Sequence, residues 1–286
     1  MIKIYNRREG NFITEEQYGS EILEYLYGNK FGRILLKILI NPTVSKLTVL
    51  YNGTILSKCK INKLIKNYSI DMSKYEEKKY LSFNDFFTRK FKSNCINIDM
   101  DKKRFIAPAE SKLFVYKISK DLKINVKGSI YTLKELLKEE IDDSFIDGNC
   151  LIFRLSVHNY HRYCFVDDGE FIKRKKIRGC LHTVSSISKD YKIYKENKRV
   201  VSKLNTKNFG DIYYIEVGAL LVGDIVNRKV ATFKKGEEKG HFNMGGSTII
   251  VLTKNNVRID KDIITHSKNG VEVLVEYGES IGEVLC

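Results

Sequence analysis

The chain has no tryptophan, and its six cysteines (Cys59, Cys95, Cys150, Cys164, Cys180, Cys286) are spread too widely to form a metal cluster. With no secretory leader in view they read as reduced thiols, most of them small buried hydrophobes, and no metal is expected. No apolar run reaches the ~18 residues that a bilayer crossing needs. The longest, "FGRILLKILI", carries Arg33 and Lys37 inside it, so it can lie on a membrane but hardly span one. The familiar nucleic-acid readers are also missing: zinc-ligand spacing, a glycine-clamp loop, an aromatic RNA-binding strand. Neither an internal repeat nor a low-complexity tract is present.

What the chain does have is positive charge. Fifty Lys and Arg against 35 Asp and Glu leave a formal net charge of +15, which favours an anionic partner: acidic lipid, acidic substrate or nucleic acid. Hydrophobic content of 43%, with 15 Phe and 17 Tyr, fits a globular chain, and 286 residues suit one large or two modest domains.

The texture changes near residue 104. Before it, "TEEQYGSEILEYLYG" carries Ile22, Leu23, Leu26 and Tyr27 at helical spacing and stops at Gly28; an amphipathic stretch covers Phe31 to Ile40; and a third helix is expected in "SFNDFFTRKFK", capped by Ser82 or Asn84. The second stretch could dock on the protein's own core or on an acidic lipid surface. After Arg104, short apolar runs follow one another between Gly, Asn and Asp, interrupted by one short helix in Thr132 to Glu140. Asn269-Gly270 reads as a tight turn. The expectation is an α+β protein: an N-terminal helical, membrane-associating region (1–103), then a mainly antiparallel β-sandwich or barrel-like catalytic domain (104–286). The basic run "IKRKKIRG" (172–179) reads first as a solvated strand face and second as a lipid-headgroup contact.

One junction in the β-rich part, "HFNMGGSTIIVL", puts two glycines before a serine that opens an apolar strand. A plain turn would look the same. Chemically, however, the Ser247 hydroxyl can attack the carbonyl one bond upstream, because Gly246 leaves it open and allows strained angles while Gly245 adds freedom. The attack gives an ester by N-to-O acyl shift. Loss of the Ser247 α-proton then breaks the chain, and hydrolysis of the dehydroalanine leaves a pyruvoyl group, a substitute for an external aldehyde cofactor such as pyridoxal phosphate. A base and an oxyanion stabiliser are required.

Of five histidines, His161 in "SVHNYHRYCFVDDG", beside Arg162, is the leading base, and His182 in "GCLHTV" is held in reserve. Glu110, after Pro108 in "FIAPAESKL", is the candidate acid to orient the imidazole; an exposed turn glutamate would look alike.

Taken together, "NDFFTRKF" (84–91), "APAES" (107–111), "NYHR" (159–162), "VGALLVG" (217–223) and "GGST" (245–248) resemble phosphatidylserine decarboxylase proenzymes, from about Asn84 to Gly282. The resemblance implies self-cleavage between Gly246 and Ser247 into a β-chain (1–246) and an α-chain (247–286) that stay paired, and a further dimer of that heterodimer. It makes Ser247 the nucleophile and later Schiff-base centre, His161 the Tyr-His-Arg histidine and Glu110 the acid. The implied cofactor is a pyruvoyl group from Ser247, without metal or pyridoxal phosphate. The implied partner is phosphatidylserine in an anionic membrane, with peripheral attachment on the cytoplasmic side of the cell membrane and no nucleic acid. Two departures stand out: the family usually has aspartate at Glu110, and many members have a second histidine where this chain has Cys164. An uncleaved, lipid-binding relative and a basic nucleic-acid module remain as alternatives.

Overall fold

The computed structural model describes residues 2–15, 20–39, 42–121, 123–126, 129–179, 197–218, 225–244 and 247–285. His182, Gly245 and Gly246 lie outside the described residues, as do Cys180 and Cys286.

The chain opens with strands. β1 (Ile2–Asn6) and β2 (Asn11–Glu15) form an antiparallel hairpin whose turn closes at Gly10, with φ +67°. Five helices follow: α1 (Ser20–Gly28), α2 (Lys30–Leu39), α3 (Pro42–Asn52), α4 (Cys59–Tyr68) and α5 (Phe83–Phe87). Then come β3 (Arg104–Ile106), β4 (Ser111–Lys117), β5 (Lys123–Val126), β6 (Ser129–Thr132), α6 (Leu133–Leu137), β7 (Asn149–Leu155), β8 (Arg162–Cys164) and β9 (Gly169–Ile177). The remainder is β10 (Arg199–Thr206), β11 (Gly210–Gly218), β12 (Ile225–Asn227), β13 (Thr232–Phe233), β14 (Glu238–Phe242), β15 (Ser247–Thr253), β16 (Val257–Ile259), α7 (Lys261–Lys268), β17 (Glu272–Val275) and β18 (Ser280–Val284).

Among the described residues, ten strands make one sheet in the order β13-β9-β10-β11-β15-β7-β4-β17-β1-β2. Every pairing in it is antiparallel except β1 with β17. Its ends, β13 and β2, do not meet, so the sheet is open and the expected barrel-like closure is absent. Smaller sheets, β12-β14-β8 and β16-β18-β3, complete the core. β15 sits between β11 and β7 with all seven residues buried. Burying Ile249, Ile250, Val251 and Leu252 stabilises the fold by roughly 1.5–3 kcal/mol each. It is a continuous apolar run because both faces of the strand are covered.

Two expectations are corrected. A helical start at Thr14 fails because Thr14 and Glu15 end β2, where Glu15 meets buried cations; helix begins at Ser20. The amino-terminal segment is therefore not helical from its beginning, and its first strands belong to the main sheet. Asn269-Gly270 is not a hairpin turn but the end of α7. Gly270 has φ +74°, its N–H reaches Ser267 O at 3.0 Å, and Val271 N–H reaches His266 O at 2.9 Å, which closes the helix with a left-handed residue. The short helix α6 is fixed by a capping box between Thr132 and Glu135, and α5 is capped by the Ser82 hydroxyl rather than by Asn84.

Candidate active site

Ser247 is the first residue of β15, opposite Gly218 on β11 and Leu155 on β7. Its side chain is fully buried, and its Oγ has no hydrogen-bonding partner among the described residues. An unpaired buried hydroxyl costs about 1–3 kcal/mol, so a chain that keeps one at this position keeps it against stability.

The sheet β12-β14-β8 lies over the face of the main sheet that carries Ser247. Tyr214 OH donates to Cys164 O at 3.2 Å, and Lys239 of β14 pairs with Glu216 of β11. Side chains alternate along strands, so Tyr214 and Glu216 share the face of the Gly218–Ser247 pair. Stepping back along the chain from Cys164 leads past Tyr163 to His161, while stepping forward from Tyr214 leads past Glu216 to Gly218. The stacking therefore sets His161 toward the Ser247 end of β15. Phe242 N–H donates to His161 O at 3.0 Å, which anchors the segment entering the Gly-Gly-Ser junction.

His161 Nδ1 lies 2.8 Å from Asn159 O. A carbonyl only accepts, so Nδ1 carries the proton and Nε2 holds the free lone pair. Nε2 is buried and, like Ser247 Oγ, has no partner among the described residues. Burial, reinforced by the Arg89 guanidinium, pushes the imidazole pKa well below its ordinary value, so His161 is held neutral, with the Nε2 lone pair free.

The segment around α5 builds the other wall. Asn84 Oδ1 accepts from Met244 N–H at 3.2 Å, and the Phe87 ring packs 4.0 Å from the His161 ring. Arg89 Nη2 donates to His158 O at 2.8 Å and to Asn159 O at 3.4 Å. Arg162 is spent on scaffolding: its guanidinium grips Glu238 at 2.7 Å and Thr88 O at 2.7 Å. Sequence reasoning took Asn84 only as a helix cap and passed over Phe87, Arg89 and Asn159, although all four lie in the motifs it quoted.

Glu110 does not touch His161. Its Oε1 accepts from Asn159 Nδ2 at 2.5 Å and its Oε2 from Tyr160 N–H at 3.3 Å, so it holds the backbone that in turn holds the imidazole. The expected direct contact is replaced by one through Asn159. Cys164 is fully buried, and desolvation pushes its thiol up to about 12, which keeps it protonated and unable to stand in for a second imidazole base. Glu110 and His158 also line a cavity of about 450 Å³ with Tyr75 and Tyr277. Among the described residues no group of three or more His, Cys, Asp or Glu side chains is placed to hold a metal.

The described part of the site is a serine site with two unpartnered buried atoms: the hydroxyl of Ser247, which follows Gly-Gly in the sequence, and Nε2 of the neutral His161 imidazole. The model of the phosphatidylserine decarboxylase family matches residues 83–283. The chain is 50% identical to phosphatidylserine decarboxylase proenzyme 2 of Clostridium acetobutylicum, over 99% of this chain and 98% of the relative. It is 40% identical to the phosphatidylserine decarboxylase proenzyme of Clostridium tetani (100% and 99%) and 38% identical to that of Fusobacterium nucleatum (98% and 97%). The chain belongs to the phosphatidylserine decarboxylase family. It is an enzyme of the carboxy-lyase class.

Proposed function

We propose that the chain decarboxylates phosphatidylserine to phosphatidylethanolamine after cutting itself between Gly246 and Ser247. The observation that carries this reading is the pair of buried, partnerless atoms, Ser247 Oγ and His161 Nε2, in a main sheet and a small sheet that stack on each other. His161 Nε2 takes the hydroxyl proton as Oγ adds to the Gly246 carbonyl; the C–N bond breaks and an ester forms. Removal of the Ser247 α-proton expels the Gly246 carboxylate and leaves dehydroalanine, which water converts to a keto-acyl terminus with loss of ammonia. The orphan hydroxyl at the start of a rigid strand fits this origin. A pyruvoyl group there supplies the electron sink that allows a carboxylate to leave as CO2. His161, shielded by Phe87, is the group placed to return a proton to carbon.

The α-chain (247–286) then remains with the β-chain (1–246), because β15 is paired on both sides. A further dimer is part of the same reading. Attachment is peripheral, on the cytoplasmic face of an anionic membrane, through the helices of the amino-terminal region, while residues from 104 onward form the catalytic part. Phe31, Ile34, Leu47, Leu50, Ile55 and Leu56 expose apolar side chains on or beside α2 and α3, near Arg33, Lys37 and Lys58, which supports that attachment. No helix among the described residues is long and apolar enough to cross a membrane.

Intact-mass analysis tests the reading. Two chains are expected, the smaller one beginning with a residue that reacts with hydroxylamine. A single 33.2 kDa species after prolonged incubation overturns it.

A further inference from the structure

Beneath the site lies a buried ionic cluster that the mechanism above does not use. Lys112, in β4, has its ammonium almost completely enclosed. Nζ donates to Asn159 Oδ1 at 2.9 Å, to Ser156 Oγ at 3.0 Å and to Glu15 at 3.1 Å, and it lies 3.4 Å from His158 Nε2. Asn159 is the hub. Its Oδ1 also accepts from Ser156 N–H at 2.8 Å, its Nδ2 donates to Glu110 at 2.5 Å, and its backbone carbonyl takes the His161 Nδ1 proton. Every polar atom of the Asn159 side chain is thus committed, and its amide orientation is fixed by an ammonium on one side and a carboxylate on the other.

We propose that Lys112 is a positioning residue for self-cleavage: through Asn159 it holds the carbonyl that sets the tautomer and aim of His161. The inference rests on the self-cleavage reading. A buried ammonium is a costly way to hold a loop, and without Glu15 it would be an uncompensated charge. The cost brings rigidity at the residue whose carbonyl decides which imidazole nitrogen is free. Lys112 also contributes electrostatically. The charged or titratable groups acting on His161 are Arg89, His158 and Lys112, and each disfavours the imidazolium. Glu110 enters only through Asn159 and the Tyr160 amide.

The test is a time course of full-length chain made by cell-free synthesis at a series of pH values, with uncut and cut forms resolved on gels. Lys112→Met is expected to slow cleavage by about tenfold to a hundredfold, the scale of a reacting group misplaced by roughly 1 Å. Its acid limb is expected to move to higher pH, because loss of a nearby cation lets His161 protonate sooner. Since Lys112→Met takes away one of the two buried cations that face Glu15 and could unfold the chain, the charge-balanced Lys112→Met/Glu15→Gln variant is run beside it. That variant is expected to melt close to wild type and still cleave slowly. Should it cleave at the wild-type rate, Lys112 merely balances Glu15 and the inference is overturned. Cleavage of Lys112→Met itself with the wild-type rate and pH profile overturns it equally. A wild-type chain that never divides overturns both this inference and the self-cleavage reading, whereas the two preceding outcomes leave that reading intact.

Discussion

Lys239 and Glu216 form an ion pair in which both side chains are fully buried, between β14 and β11 and on the same face as Ser247. The Tyr214 ring lies 4.6 Å from the Lys239 ammonium, and Asn227 Oδ1 accepts from it at 3.2 Å. The pair locks the small sheet over the site.

Removing one partner leaves the other charge stranded. Lys239→Met is expected to destabilise the fold by about 3–5 kcal/mol, while Lys239→Met with Glu216→Leu recovers most of that loss. Urea denaturation of the uncut Ser247→Ala background measures both. Equal destabilisation by the single and double changes would show that the pair's charges are not what matters.

Ser247→Ala is expected to remain one chain. It also removes the unpaired buried hydroxyl, so its unfolding free energy is expected to rise by about 1 kcal/mol over the uncut wild type. Comparison with freshly made proenzyme by denaturant titration decides the sign.

The pH dependence of stability should bear the mark of His158. Burial, reinforced by Lys112, lowers its pKa to about 4. In the unfolded chain it protonates near 6.5, so as pH falls from 6.5 toward 4 the unfolded state binds a proton that the folded state refuses. Stability is full above the unfolded value and declines by about 1.4 kcal/mol per pH unit within that window. His158→Gln is expected to flatten the decline, as measured by unfolding at several pH values.

Glu110→Asp keeps the charge but shortens the reach. One of the two bonds to Asn159 and Tyr160 is expected to be lost, slowing self-cleavage by about threefold to tenfold without abolishing it. Complete loss would mean that the carboxylate acts on the reacting atoms directly.

The strands after Arg104 were legible because their apolar runs are bounded by turn residues. The hairpin of Ile2–Asn6 and Asn11–Glu15 was not: its strands are short, and one pairs with Glu272–Val275 from the far end of the chain. α7 escaped notice because Asn269-Gly270 suits a hairpin as well as a helix end. At the site, the motifs singled out Ser247 and His161, and the structure finds both buried with an unpartnered polar atom. The contacts of Asn159 and Lys112 could not be read from the sequence, because each depends on side chains brought together from β2, β4 and the segment before β8. Glu110 was found by its motif, yet its contact with Asn159 rather than His161 appears only in three dimensions.

β15 threads the middle of the main sheet, flanked by β11 and β7. A fragment born by scission just ahead of it cannot be traded for a fresh copy without dismantling the sheet around it. Under the proposed self-cleavage, each molecule therefore carries a single reactive terminus for its whole lifetime, and one spoiled by oxidation or a dead-end adduct is renewed only by making the protein again.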